Sequence, residues 1–376
     1  MNDLTFVVLT FNNRKHLLLR TLSHYKNLPL TVYILDASIT AIDICEIATA
    51  LEETKFRYIH IPESSADDRL LYIAEHVKTD FVSLHCDDEF YSHASIVDSI
   101  SFLRKNIDYV SCMGFAVGFR ETGREVKFYD VYPELLKVNQ NIEDPVTRAH
   151  KLARRYTCST IYAVNRTASW NRAITVAMSV QGKKRIFAIQ EYIFEITMAL
   201  EGKRKILNRP HWFRNLGPAA DTYLYPIPSQ AWFLKEFKGI RDNIINRLAH
   251  YIETSLRVTS GEAQLISAEI LETFVISNAR VSFEDYSDLS SLKMGIRNAF
   301  PSLFNLMSKA RRTFHVNQAK REISLKNQEE LVDGRLEGES KTTNALKCYQ
   351  GDLNEIRGVL VDFLINKSCR HRDRIE

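Results

Sequence analysis

Between Leu4 and Phe90 the chain repeats one unit: a short apolar run of strand length, polar residues at its end, then apolar residues at helical spacing. Leu4 to Thr10, Thr31 to Leu35, Phe56 to Ile61 and the run that begins at Phe81 are the strands. Lys15 to Tyr25, Ile42 to Glu53 and Ala66 to Val77 are the helices between them. Strands separated by helices return by crossovers, which lay each one parallel to the last. The repeat therefore predicts an α/β chain with a mainly parallel sheet flanked by helices, whose ligands bind beyond the carboxyl ends of the strands.

Three of those ends are polar: Thr10-Phe11-Asn12, Asp36-Ala37-Ser38 and Asp87-Asp88-Glu89. Phe81, Val82 and Leu84 have the bias of a short core strand. The acids that follow cannot be buried unpaired without a cost of several kcal/mol. They are expected to emerge at the end of the strand, where clustered hard oxygen donors suit Mg²⁺ or Mn²⁺ carrying phosphate oxygens. Three consecutive acids alone describe a solvated turn more often than a site. The neighbouring polar ends make the difference, because a nucleotide would lie across that row. No glycine cluster follows Thr10, so the dinucleotide fingerprint and the P-loop are both missing.

Further on, Ile96 to Arg104 reads as a helix and Tyr109 to Phe115 as a strand, with a long polar connection to about Arg148. Tyr156 to Val164 reads as a strand and Thr167 to Val180 as a helix. Ile193, Ile196 and Leu200 mark the buried stripe of a helix that stops at Gly202, with Glu191 in its first turn and Glu195 one turn on. The helix dipole favours carboxylates there whatever their function. Lys203-Arg204-Lys205 heads a last strand, and Pro210 to Asn215 follows it. From about Ser229 the periodicity is helical only, which divides the chain into residues 1–225 and a helical region, 226–376. Within that region Ser291 to Phe314 is basic and amphipathic. Such a segment suits peripheral contact with an acidic membrane surface, although a core-facing helix with a solvated basic side is the commoner explanation. Asn317 to Lys347 reads as exposed helix or disorder. Leu353, Ile356, Leu360 and Leu364 mark a final helix suited to docking on the body or on a second copy of the chain.

Composition narrows the function classes. A net charge of +4 on 376 residues is too mild for a nucleic-acid binder and fits anionic substrates. No apolar run approaches the roughly 20 residues that span a bilayer. Met1 leads into a strand without a secretory pattern, and the cysteines are scattered, so a cytoplasmic protein with reduced thiols is expected. His60, His76 and His85 read as structural. Trp212 and Trp232 suit stacking on a sugar, but core packing is the commoner use of such residues.

Four segments in this order carry a resemblance: the opening FVVLTFNNRKHLLLRTL, the strand end YILDAS, the stretch DDRLLYIAEHVKTDFVSLHCDDEF, and QEYIFEITMALEGK before a basic strand. Up to about residue 225 the chain resembles the GT-A-fold glycosyltransferases, in particular the family 2 enzymes of bacterial cell-surface polysaccharides. The resemblance implies that Thr10 and Asn12 touch the nucleotide and that Asp36 reads its base or ribose. It implies that Asp68 and Arg69 contact base and ribose, with Asp67 able to exchange roles with Asp68. Asp87-Asp88-Glu89 matches the metal motif, normally aspartate, any residue, aspartate. Here Glu89 ends it with a longer arm, leaving Asp88 as the main ligand and Asp87 beside the cofactor. Glu191 matches the catalytic base of inverting members, and His211 and Arg214 match groups that touch metal or diphosphate in some relatives.

The implied activity is metal-dependent transfer of a sugar, from a UDP-sugar by first choice, to a hydroxyl of a glycan or lipid-linked acceptor, with Mn²⁺ or Mg²⁺ as cofactor and inversion at the sugar carbon. A homo-oligomer through the C-terminal helices is a further expectation. Two other readings stay open: a nucleotidyltransferase that makes nucleotide sugars, although Phe11-Asn12-Asn13-Arg14 lacks its glycine-rich loop, and an inactive scaffold on the same fold.

Overall fold

The computed structural model describes residues 2–122, 125–137, 141–157, 159–178, 189–217, 232–278 and 351–360. Strands β1 (Leu4–Thr10), β2 (Thr31–Asp36), β3 (Lys55–His60) and β4 (Phe81–Cys86) are the four runs at the start of the chain. They pair in parallel in the order β3-β2-β1-β4, and the crossovers contain α1 (Lys15–His24), α2 (Ile44–Leu51) and α3 (Ala66–His76). Helix α3 starts where it does because Ser65 and Asp68 form a reciprocal capping box. Alternate residues of β1 go to opposite faces: Val7 joins a cluster with α3, while Phe6 and Val8 join one with α1 and α2. Burial on both faces explains the uninterrupted apolar runs.

The second half of the nine-stranded sheet is mixed and continues β4-β8-β6-β9-β5. It comprises β5 (Phe90–Tyr91), β6 (Tyr109–Thr122), β7 (Glu125–Asp130), β8 (Val164–Arg166) and β9 (Lys203–Asn215). Helices α4 (His93–Lys105), α5 (Pro145–Arg154), α6 (Thr167–Met178) and α7 (Ile189–Glu201) cover it. Strand β6 pairs in parallel with β9, and β7 pairs antiparallel with β6.

Two expectations are corrected here. The long polar connection after Phe115 contains the rest of β6, the strand β7 and helix α5, which starts at an Asp144 cap with Pro145 in its first turn. Among the described residues from Tyr156 to Ala163 there is no strand. They hold a single 3-10 turn at Thr160–Tyr162, and the strand begins only at Val164. The cause is Glu195, whose carboxylate accepts the backbone N–H of Ser159 at 2.9 Å and of Thr160 at 2.5 Å and so takes donors a ladder would need.

Strand β9 advances from Ile206 to Pro210 while β6 advances only from Met113 to Phe115. The two backbones close together at this irregularity, where a Cβ on Gly114 would fall 2.0 Å from the Arg209 carbonyl oxygen. Glycine is required by that contact. Beyond it, Trp212 to Asn215 run past the end of β4.

The expected helical region begins with α8 (Lys238–Leu256) and α9 (Ser260–Asn278), which share one apolar cluster with α5, α6 and α7. Trp232 packs in the same cluster, fully buried. The 351–360 helix docks on the body through Leu353, Ile356 and Leu360, against Phe90, Phe119 and Phe213. Ser291 to Phe314, Asn317 to Lys347 and Leu364 lie outside the described residues. Among the described residues no helix is long and apolar enough to cross a membrane.

Candidate active site

The register of the parallel strands brings the polar ends together. Thr10 is opposite Asp36, Asp36 is opposite His60, and Leu9 is opposite Cys86, the residue before the acidic triplet. Arg69 fastens this edge: its Nη1 donates to the carbonyls of Thr10 (2.6 Å) and Leu35 (3.0 Å), and its Nε to that of Ser65 (3.3 Å). A buried guanidinium thus holds two strand ends to the start of α3.

Asp87, Asp88 and Glu89 are all buried, so compensation for their charge decides the local structure. Most of it comes from Arg14. Its Nε donates to both oxygens of Asp87 at 2.9 Å, and its Nη2 reaches Asp87 at 2.7 Å and Asp88 at 3.0 Å. Thr10 adds a bond from Oγ1 to Asp87 at 2.8 Å. Burial pulls the Arg14 guanidinium down, but its two carboxylate partners outweigh this and leave it above its usual value. Burial likewise pushes the Asp87 carboxyl up, with Arg14 opposing. The turn that places Arg14 includes Asn12, which adopts a left-handed backbone (φ 38°) that asparagine tolerates.

The other two acids are tied to β9. Asn215 donates to Asp88 at 3.2 Å, and the Trp212 indole donates to Glu89 at 2.5 Å. Trp212 itself is packed between Tyr162 and Tyr132, so its core use is the one observed. Burial, followed by the charge of Asp88, pushes the Glu89 carboxyl up to about 8. Arg214 lies over the rings of Tyr132 and Trp212 and adds positive charge near Glu89 without a hydrogen bond to it.

The remaining candidates occupy distinct positions. Asp36 is buried and accepts from Ser38 N at 2.8 Å and from the Tyr58 hydroxyl at 2.6 Å. Asp68 serves the capping box of α3, whereas Asp67 accepts from Gln190 Nε2 at 2.8 Å. That bond draws the start of α7, and with it half-buried Glu191, to the start of α3 beside the strand ends. His211 is held by other partners. Its Nδ1 pairs with Ser95 Oγ at 2.9 Å, Nε2 faces the Tyr162 carbonyl at 3.4 Å, and burial pulls the ring down to about 4.

The two glutamates of α7 are separated by their surroundings. Glu195 is 1% exposed and accepts from Ser159, Thr160 and, at 3.4 Å, from Arg204. It is a structural hub, and Glu195→Ala is expected to destabilise the fold by about 3–5 kcal/mol, read by urea denaturation, because Arg204 loses its buried partner.

The donor set fits a divalent cation bound mainly through phosphate. Asp88 keeps Oδ1 outside the contacts just described, and such ions commonly take one or two carboxylates and complete their shell from a nucleotide. Arg14 and such an ion would share the charge of the same acids. Arg14 is the residue that motif reading missed. The signal was the need for compensation: three buried acids demand a cation, and Arg14 is the basic residue of the facing turn.

No protein-family model matches the chain, and no curated protein matches it by sequence. Its fold does match solved structures. The 1–349 fragment of S. aureus TarS aligns at TM-score 0.52 and 13% identity over 89% of this chain and 93% of that one. The same fragment in complex with UDP-GlcNAc aligns at TM-score 0.52 and 13% identity over 80% of each chain. Longer S. aureus TarS aligns at TM-score 0.51 and 13% identity over 84% of this chain but only 53% of its own. At that identity the likeness is one of fold, and it is the GT-A fold that the sequence motifs resemble.

Proposed function

We propose that the chain is a glycosyltransferase that takes a sugar from a nucleoside diphosphate, a UDP-sugar by preference, and passes it with inversion to a hydroxyl of a glycan or lipid-linked saccharide. One observation carries this reading: the acidic triplet closes β4 directly beside the polar end of β1, with that of β2 one strand further on, and Arg14 lies across two of its carboxylates. The fold match to a protein solved with UDP-GlcNAc supports the choice of donor.

The diphosphate would lie over Thr10 and the triplet, and Arg14 and Arg214 would offset the negative charge that grows on it as the sugar departs. A divalent ion such as Mn²⁺ or Mg²⁺, held by Asp88 with Glu89 behind it, would supply Lewis-acid neutralisation of the same leaving group. Asp36, fixed by Ser38 and Tyr58, would bound the nucleoside end of the row. Glu191 would take the proton of the acceptor hydroxyl as that oxygen attacks the sugar carbon from the opposite face. Gln190, through its bond to Asp67, would hold the base in place.

Incubation with UDP-, GDP- and dTDP-sugars in Mn²⁺ or Mg²⁺, followed by assay for free nucleoside diphosphate, tests the proposal. Release from a UDP-sugar is expected, and chelation of the metal should suppress it. Pyrophosphate release would favour the nucleotidyltransferase instead, and failure of every donor to bind would end both readings. Glu191→Gln is expected to lower kcat by about 10²–10⁴-fold while donor affinity and folding stay unchanged, measured by turnover, titration with UDP and circular dichroism.

A further inference from the structure

Apart from the acidic row, one other cluster of ligand-type side chains is assembled among the described residues. His24 ends α1, His93 begins α4, and Glu355 comes from the 351–360 helix. One donor atom from each lies within 4.8 Å of the others. We propose that these three residues form a structural site for a borderline divalent cation of the zinc class, which pins the 351–360 helix to the sheet. It is independent of the proposed transferase activity.

Two imidazole nitrogens and one carboxylate oxygen are a zinc-type set, unlike the all-oxygen set of Asp87, Asp88 and Glu89. Ligands 2.0–2.1 Å from a tetrahedral ion stand about 3.3 Å apart. Glu355 Oε1 lies 2.9 Å from His93 Nδ1 and 3.7 Å from His24 Nε2, values that bracket this spacing. The His24 and His93 rings are stacked with centroids 4.2 Å apart, so cation binding must turn the partly exposed His93 ring to bring both nitrogens onto one ion. His24 is buried, whereas His93 and Glu355 are only partly so. His24 Nε2 donates to the Tyr91 carbonyl at 2.9 Å, so a cation bound there requires that proton to move to Nδ1 and leaves the carbonyl oxygen as a fourth neighbour of the ion.

The cluster also sits where a pin would matter. Tyr91 pairs with Trp212, the residue that holds Glu89. The docked helix is otherwise held by Leu353, Ile356 and Leu360 and by Asp352, which accepts from Ser92 and, at 3.4 Å, from Arg209. The bland alternative is that Glu355 simply makes an ion pair with His93.

The full chain without an affinity tag, titrated with Co²⁺ as a spectroscopic probe, separates the two. One equivalent should give the intense visible absorption of a four-coordinate site and be displaced by Zn²⁺. That absorption should persist in Asp88→Ala and vanish in His93→Gln and Glu355→Gln, both at partly exposed positions that tolerate substitution. Zn²⁺ at a hundred times its Kd should slow amide exchange in residues 351–360 by up to roughly a hundredfold, and not in Glu355→Gln. Absence of the absorption in the native chain, its survival in both variants, or exchange indifferent to Zn²⁺ would overturn the proposal and leave an ion pair only.

Discussion

Arg14→Ala is expected to destabilise the fold by about 3 kcal/mol near neutral pH, because it strips the main compensation from Asp87 and Asp88 while leaving both buried. The loss should depend on pH in a stated direction. Burial already holds the Asp87 carboxyl above its unfolded value of 3.8, and Glu89 at about 8 against 4.5. A carboxyl raised in this way keeps its proton longer in the folded chain. Its favourable contribution is therefore complete at low pH and is lost as pH rises toward the folded value. Without Arg14 the Asp87 carboxyl moves further the same way. The deficit should be largest around pH 8 and shrink toward pH 4, as read from urea denaturation at the two values. Arg14→Lys keeps the charge but not the fork that spans both carboxylates, and should recover only part of the loss.

Asp88→Ala is expected to behave in the opposite way. Arg14 remains paired with Asp87, and Glu89 is relieved of the neighbouring charge that helps to raise it, so stability should be unchanged or slightly higher. Sugar transfer should fall by about 10³-fold or more, since the diphosphate then loses its principal metal carboxylate as it leaves. Stability by urea denaturation and turnover of a UDP-sugar, measured on the same preparation, check both parts. Loss of stability without loss of turnover would place Asp88 among structural acids.

The parallel half of the sheet was legible in the sequence because β1, β2 and β4 are buried on both faces and its helices carry a 3.6 period, with Ser65 and Asp68 spelling out one cap. The row of Thr10, Asp36 and Asp87 was legible because each lies at the end of a strand read as parallel. The second half was harder. Strand β7, Glu125–Asp130, has charged residues on its open side and lacks an apolar run, so it read as connection. Ser159 and Thr160 read as strand, but a carboxylate thirty-odd residues later in the chain, Glu195, claims their N–H groups. Arg14, likewise, is joined to Asp87 across 73 positions. Local pattern carries no term for such contacts. The partner of His211 Nδ1, Ser95, is 116 positions away in the chain and equally out of reach of local pattern.

A crystal of the protein grown with UDP and Mn²⁺ decides whether the carboxyl ends of β1 and β4 receive the diphosphate of a nucleotide. The two phosphates are expected over Thr10 and the acidic triplet, with Arg14 and Asp88 turned toward them. Phosphates bound elsewhere, with the Arg14 bridge to Asp87 and Asp88 untouched, would overturn that placement.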